Sequence, residues 1–133
     1  MSYGSSKSTS TAVGLSEAIT AYTITSNTLT MPLGNGNVGR VSTAPSANFT
    51  VNLTGVPTTD GQVITVTIFV TQGATGYYPS AFQIDGNAQT IKWANSAAPT
   101  PTSSAGKIDI FTFSLVRLSS AWTVFGTGVL NMG

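Results

Sequence analysis

Apolar and polar side chains alternate with period two through much of the chain, the spacing that sends successive side chains to opposite faces of a strand. In "NFTVNLT", Phe49, Val51 and Leu53 fall on one face and Asn48, Thr50, Asn52 and Thr54 on the other, which predicts a half-buried strand. In "QVITVTIFVT", Ile64, Val66, Ile68 and Val70 form an unbroken apolar face opposite a mixed one of Val63, Thr65, Thr67, Phe69 and Thr71, so this strand is expected deep in a sheet. "IDIFTFSLVR" repeats the pattern with Phe111, Phe113 and Leu115 facing the core and Asp109 and Arg117 on the same face at opposite ends. "AWTVFG" follows after the short connection "LSS", and the two segments read as a C-terminal hairpin.

Shorter strand signals lie in "TAYTIT", "TLTMPL", "GRVST", "AFQI" and "AQTIKW", separated by the turn clusters "GNGN", "TTDG", "QGATG" and "AAPTPTSSAG". Asp85-Gly86 stands between "AFQI" and "NAQTIKW", the composition of a two-residue hairpin turn in which both central residues need positive φ. On the second strand of that hairpin Ile91 and Trp93 are expected to enter the core and Lys92 to face solvent. "LSEAI", Leu15 to Ile19, is the one stretch that could form a helical turn, and no fixed-period repeat is visible. These signals predict an all-β fold, an antiparallel β-sandwich or jelly-roll-like domain over residues 19–133, preceded by an extended polar N-terminal arm at 1–18.

Charge and composition narrow the function. Only 7% of the residues are charged and the net charge is +1, so the chain lacks the basic footprint of a nucleic-acid or anionic-membrane binder. Serine and threonine supply roughly a quarter of the chain, which favours strands and turns over helices. So neutral and hydroxyl-rich a surface opposes association only weakly, which hints at assembly into a homo-oligomer. The start "MSYGSSKSTSTAVG" lacks the apolar core of a secretory signal, and "VITVTIFV" is too short and too hydroxylated to span a bilayer. With no histidine a triad would need a lysine as base, and Lys7, Lys92 and Lys107 fall on predicted exposed strands or loops; with no cysteine a thiolate metal site is unavailable, and no calcium loop occurs. Asp60 and Asp85 each precede glycine and read as turn residues. "GNGNVG" matches a dinucleotide fingerprint literally, but a strand rather than a helix follows it, so it reads as a turn. The sequons at Asn48 and Asn52 sit within a predicted strand and read as chance. No enzyme activity and no cofactor or metal is expected.

The candidate functional residues are therefore surface groups. Tyr77 and Tyr78 are adjacent on an extended segment after a Gly-rich loop, so both cannot face one core, and an exposed tyrosine suits protein interfaces and sugar stacking alike. Asp109 and Arg117 are expected at the rim of the core, solvated or meeting another subunit. In the arm, Ser2, Tyr3 and Lys7 are candidate interface residues, since a Ser/Thr-rich extended chain suits strand addition to a neighbour.

The segments "PTTD" (Pro57 to Asp60), "TQGATGYYP" (Thr71 to Pro79), "IDG" (Ile84 to Gly86), "KWA" (Lys92 to Ala94) and "IDIFTFSLVR" followed by "WTVFG" carry a resemblance. Over roughly the last two-thirds of the chain they resemble a β-rich module of virion structural and tail-fibre-like proteins of marine tailed phages, especially those infecting cyanobacteria. The resemblance implies a particle component and brings no catalytic motif. It makes the leading expectation a capsid decoration or cement protein at the virion surface, binding other virion proteins, the major capsid protein foremost, as a homo-oligomer with a trimer favoured. The rival expectation is a tail or fibre adhesin recognising a host glycan, with Tyr77, Tyr78 and an exposed Trp93 as stacking groups. A free carbohydrate-binding module is a third class, disfavoured by the absence of an export signal.

Overall fold

A computed structural model describes residues 16–133. Ten strands follow one another: β1 (Thr20–Ala21), β2 (Thr28–Pro32), β3 (Val38–Val41), β4 (Phe49–Thr54), β5 (Val63–Thr71), β6 (Pro79–Ile84), β7 (Asn87–Gln89), β8 (Ile91–Trp93), β9 (Ile108–Leu118) and β10 (Ala121–Met132). Single 3-10 turns at Leu33–Asn35 and Ala94–Ser96 are the helical elements of the described residues. Ser16 to Ile19 form no helical turn, and Leu15 lies outside the described residues.

The strands form a six-stranded sheet, ordered β1-β3-β5-β9-β10-β8, and a four-stranded sheet, ordered β2-β4-β6-β7. The chain therefore changes sheet at every step from β1 to β6. Each return to a sheet comes after a crossing through the other, so the strand re-enters in the same direction as its neighbour. β1, β3 and β5 are mutually parallel, as are β2, β4 and β6. This corrects the expected antiparallel order: both sheets are mixed, since strands that alternate between the two sheets re-enter each one by a crossover, the connection a parallel pair needs. Among the strands, β5–β9, β9–β10 and β6–β7 pair antiparallel, beside a single antiparallel bridge from Thr25 to Thr28. "NAQTIKW" is likewise not one strand. Asn87–Gln89 pairs with β6 in the smaller sheet, and after Thr90 the segment Ile91–Trp93 pairs with β10 in the larger one.

Two hairpins match their sequence signals. Asp85 and Gly86 have φ of 47° and 81° and close β6 onto β7, with Ile84 opposite Asn87. Ser119 and Ser120, at φ of 53° and 62°, close β9 onto β10, with Leu118 opposite Ala121. The alternation reads through to burial: Phe49, Val51 and Leu53 of β4 are buried, as are Val66, Ile68 and Val70 of β5 and Phe111, Phe113 and Leu115 of β9. Inner faces of both sheets share one core, and Phe82 of the smaller sheet meets Phe113 of the larger at 4.9 Å between ring centroids.

Candidate functional site

Asp109 is not at a solvated rim. It is fully buried, on the inner face of β9, where the register sets it opposite Val70. Its carboxylate accepts hydrogen bonds from the Thr102 N–H (2.8 Å) and hydroxyl (2.6 Å), the Asn131 N–H (2.9 Å) and the Gln72 amide (3.0 Å). Burial alone would push its pKa up, but these donors favour the charged form and together hold it below the ordinary value of 3.8. Gln72, itself buried, extends the network: Nε2 donates to the Tyr77 carbonyl and Oε1 accepts the Tyr77 N–H. A buried carboxylate so fully satisfied is a structural tie joining the residue after β5, the 97–106 connection and β10, not a surface for a partner.

That tie fixes the tyrosine segment. Gly76 packs so closely on the 101–103 backbone that a Cβ there would lie 2.4 Å from the Thr102 oxygen. Asn48 Oδ1 accepts the Tyr78 N–H, and Asn52 Oδ1 accepts the Gly86 N–H, which gives both sequon asparagines an internal role. Tyr77 and Tyr78 are each half-buried, and the Tyr78 ring packs on the core and lies 5.9 Å from Trp93. Trp93 continues the stack to Phe113 at 5.7 Å and covers Gly126. It is a packing residue as its spacing suggests, and does not stand out from the surface as a stacking platform.

Arg117 lies at the other end of β9, inside a cleft of about 460 Å³ that opens between the ends of the two sheets. The larger sheet contributes Arg117 and Trp122, register partners whose side chains stack with the guanidinium carbon 5.7 Å from the indole centroid. The smaller sheet contributes Asp85, Asn87 and Gln89 from the β6–β7 hairpin. Every wall is held by backbone. Asp85 accepts the Gly55 and Val56 N–H groups at 2.8 and 3.2 Å, and Asp60 accepts the Ser120 N–H with both oxygens. Arg117 Nε is 3.3 Å from Asp60 Oδ1, but it is buried and makes no aligned hydrogen bond, so the pair is held by charge alone. The sequence singled out Arg117 but missed Trp122, Asn87 and Gln89, because nothing local relates two hairpins that meet only in the folded chain.

A second surface is the outer face of the six-stranded sheet. Its cross-strand rows run Val63–Val116–Thr123, Thr65–Ser114–Phe125, Thr67–Thr112–Thr127, Phe69–Ile110–Val129 and Thr71–Ile108–Met132. Val63, Phe125, Val129 and Met132 are 64, 45, 57 and 43% exposed. The charges on this face are Arg40, beside Phe69, and Lys92, beside Phe125, toward opposite edges of the sheet.

Of the residues singled out from sequence, the structure thus separates Tyr77, Tyr78 and Asp109 from Arg117 by the length of β9, and Ser2, Tyr3 and Lys7 lie outside the described residues. No group of three or more acidic, histidine or cysteine side chains that could hold a metal occurs among the described residues. No family model, curated protein or solved structure matches the chain.

Proposed function

We propose that this protein is a non-enzymatic structural subunit of a phage particle, a β-sandwich that decorates or cements the assembled shell at the virion surface. The observation that carries the reading is the outer face of the six-stranded sheet. Antiparallel strands such as β5, β9 and β10 commonly leave one face to solvent, and that face is ordinarily polar. On the outer face here, Val63 and Val116 lie toward one end, and Phe69, Ile110, Val129, Ile108 and Met132 toward the other, with threonine, serine and Phe125 between and no acidic residue among them. Exposed apolar side chains grouped with hydroxyl groups and no acids suit a protein partner. Arg40 and Lys92 at its edges favour a partner surface that is apolar at the centre and carboxylate-bearing at the rim, and the major capsid protein is the proposed bearer of that surface. The low charge of the chain supports self-association on the shell, with a homotrimer as the expected unit.

The reading is tested by counting copies of the protein in purified particles against the major capsid protein, and by adding Phe125→Asp with Val129→Asp protein to shells lacking it. Copies in the hundreds and loss of shell binding by the folded double variant support it; absence from particles, or undiminished binding, overturns it. A second reading, a tail or fibre adhesin for a host glycan, is favoured by one observation, the Arg117–Trp122 cleft.

A further inference from the structure

We infer that the cleft between the ends of the two sheets is a binding site for a neutral saccharide, with Trp122 as its apolar wall and Asn87, Gln89, Asp85 and Arg117 as its hydrogen-bonding groups. The inference deepens the adhesin reading and moves it from Tyr77, Tyr78 and Trp93 to a different end of the molecule.

The size fits first. About 460 Å³ lies within the range of small-ligand sites, and the space is a concavity bounded by three chain segments, not a shallow dent in one. The chemistry fits next. A sugar ring presents apolar C–H faces edged by hydroxyls that both donate and accept. Trp122, half-buried on its strand, offers a flat apolar surface. Around it stand two carboxamides, each with a donor and an acceptor end, a carboxylate that only accepts and a guanidinium that only donates. Gln89 Nε2 is steadied by the Asn87 carbonyl at 3.2 Å, leaving its amide oxygen directed to no protein group among the described residues.

Preorganisation is the third observation. Asp85 is locked by hydrogen bonds from two backbone N–H groups, and Asp60, beside Arg117, shares the single Ser120 N–H between its oxygens, so these carboxylates are ordered before a ligand arrives. Three non-glycine residues with positive φ, Asp85, Ser119 and Ser120, belong to the two hairpins that form the walls. These values are those of the two-residue turns that close the hairpins, and they fix the turn ends of both walls.

Charge decides the ligand class. Arg117, the one cation among the described lining residues, is already offset by Asp60 at 3.3 Å behind it, and Asp85 adds a negative charge at the wall. A phosphate or a uronic acid would enter against net negative charge, whereas a neutral, hydroxyl-rich ring would not.

The experiment is a titration of the intact chain, followed by amide and indole N–H spectra, with methyl α-glucopyranoside, methyl α-mannopyranoside, methyl β-galactopyranoside and chitobiose. At least one should shift the Trp122 indole and the Asn87 and Gln89 side-chain amides while leaving the Trp93 indole in place. Asn87→Ala and Gln89→Ala change side chains outside the core and keep the fold; each should weaken that binding by roughly tenfold, the loss of one or two hydrogen bonds. Shifts from none of the four, shifts centred away from the cleft, or stronger binding of glucuronate or inorganic phosphate at Arg117 would overturn the site. If Gln89→Ala removes saccharide binding but particles carrying it adsorb to cells as before, the site stands and the adhesin reading falls.

Discussion

Gln72 donates its side-chain amide to Asp109 at 3.0 Å, and the two residues tie the end of β5 to the start of β9 inside the core. The same carboxylate holds Thr102 and Asn131, so one charged group orders the long 97–106 connection and the C-terminal strand together. Asp109→Asn keeps the shape but turns an NH₂ toward donors, leaving at least one buried donor unsatisfied. A loss of about 3 kcal/mol is expected, read as a lower urea midpoint with unchanged slope.

Acid should act on the same residue. Since the folded-state pKa of Asp109 lies below the ordinary 3.8, the unfolded chain binds the proton more readily, and stability rises with pH through this window. The contribution is fully present above the ordinary value and is lost as pH falls below it through the folded pKa. Thermal midpoints measured from neutral pH downward should therefore fall more steeply in the parent protein below about pH 4 than in Asp109→Asn.

Gly76→Ala should destabilise by about 1–3 kcal/mol although its φ is ordinary, because the added methyl meets the Thr102 backbone, which has no flexible end to yield. Hydrogen exchange should show the loss first at the Tyr77 and Thr102 amides, whose bonds to Gln72 and Asp109 depend on that approach.

The Ser119-Ser120 turn holds two serines in a conformation that asparagine and glycine adopt at less cost. Ser119→Asn with Ser120→Gly is expected to raise stability by about 1 kcal/mol, since the Ser120 N–H that Asp60 accepts is a backbone group and survives the change. Equal or lower thermal stability in the double variant would count against strain at this turn.

How much of the fold and the cleft was legible in the residues alone depended on range. Asp85-Gly86 announced its turn because positive φ selects those residue types locally. Ser119-Ser120 gave only a short gap between two strands, as its stability leans on Asp60 about sixty positions away. The repeated return of the chain to each sheet left no fixed period, because paired positions are unequally spaced: Thr20 meets Gly39, Thr28 meets Thr50, Gly39 meets Ile68 and Thr50 meets Ala81. Asp109 could be assigned to the core face by alternation, but the donors that make its burial tolerable come from Gln72, Thr102 and Asn131, and no spacing rule links them.

The amino-acid order by itself determined where the long strands lie, which side of each is apolar and that Asp85-Gly86 is a turn, since each is decided within a few residues by side-chain alternation and backbone preference. Tertiary structure decided which sheet each strand joins, its direction, and which polar groups converge. Alternation is blind to all three: a strand with one apolar face satisfies the pattern in either sheet and in either sense, and only the crossings between the sheets, closed over one core, select among them.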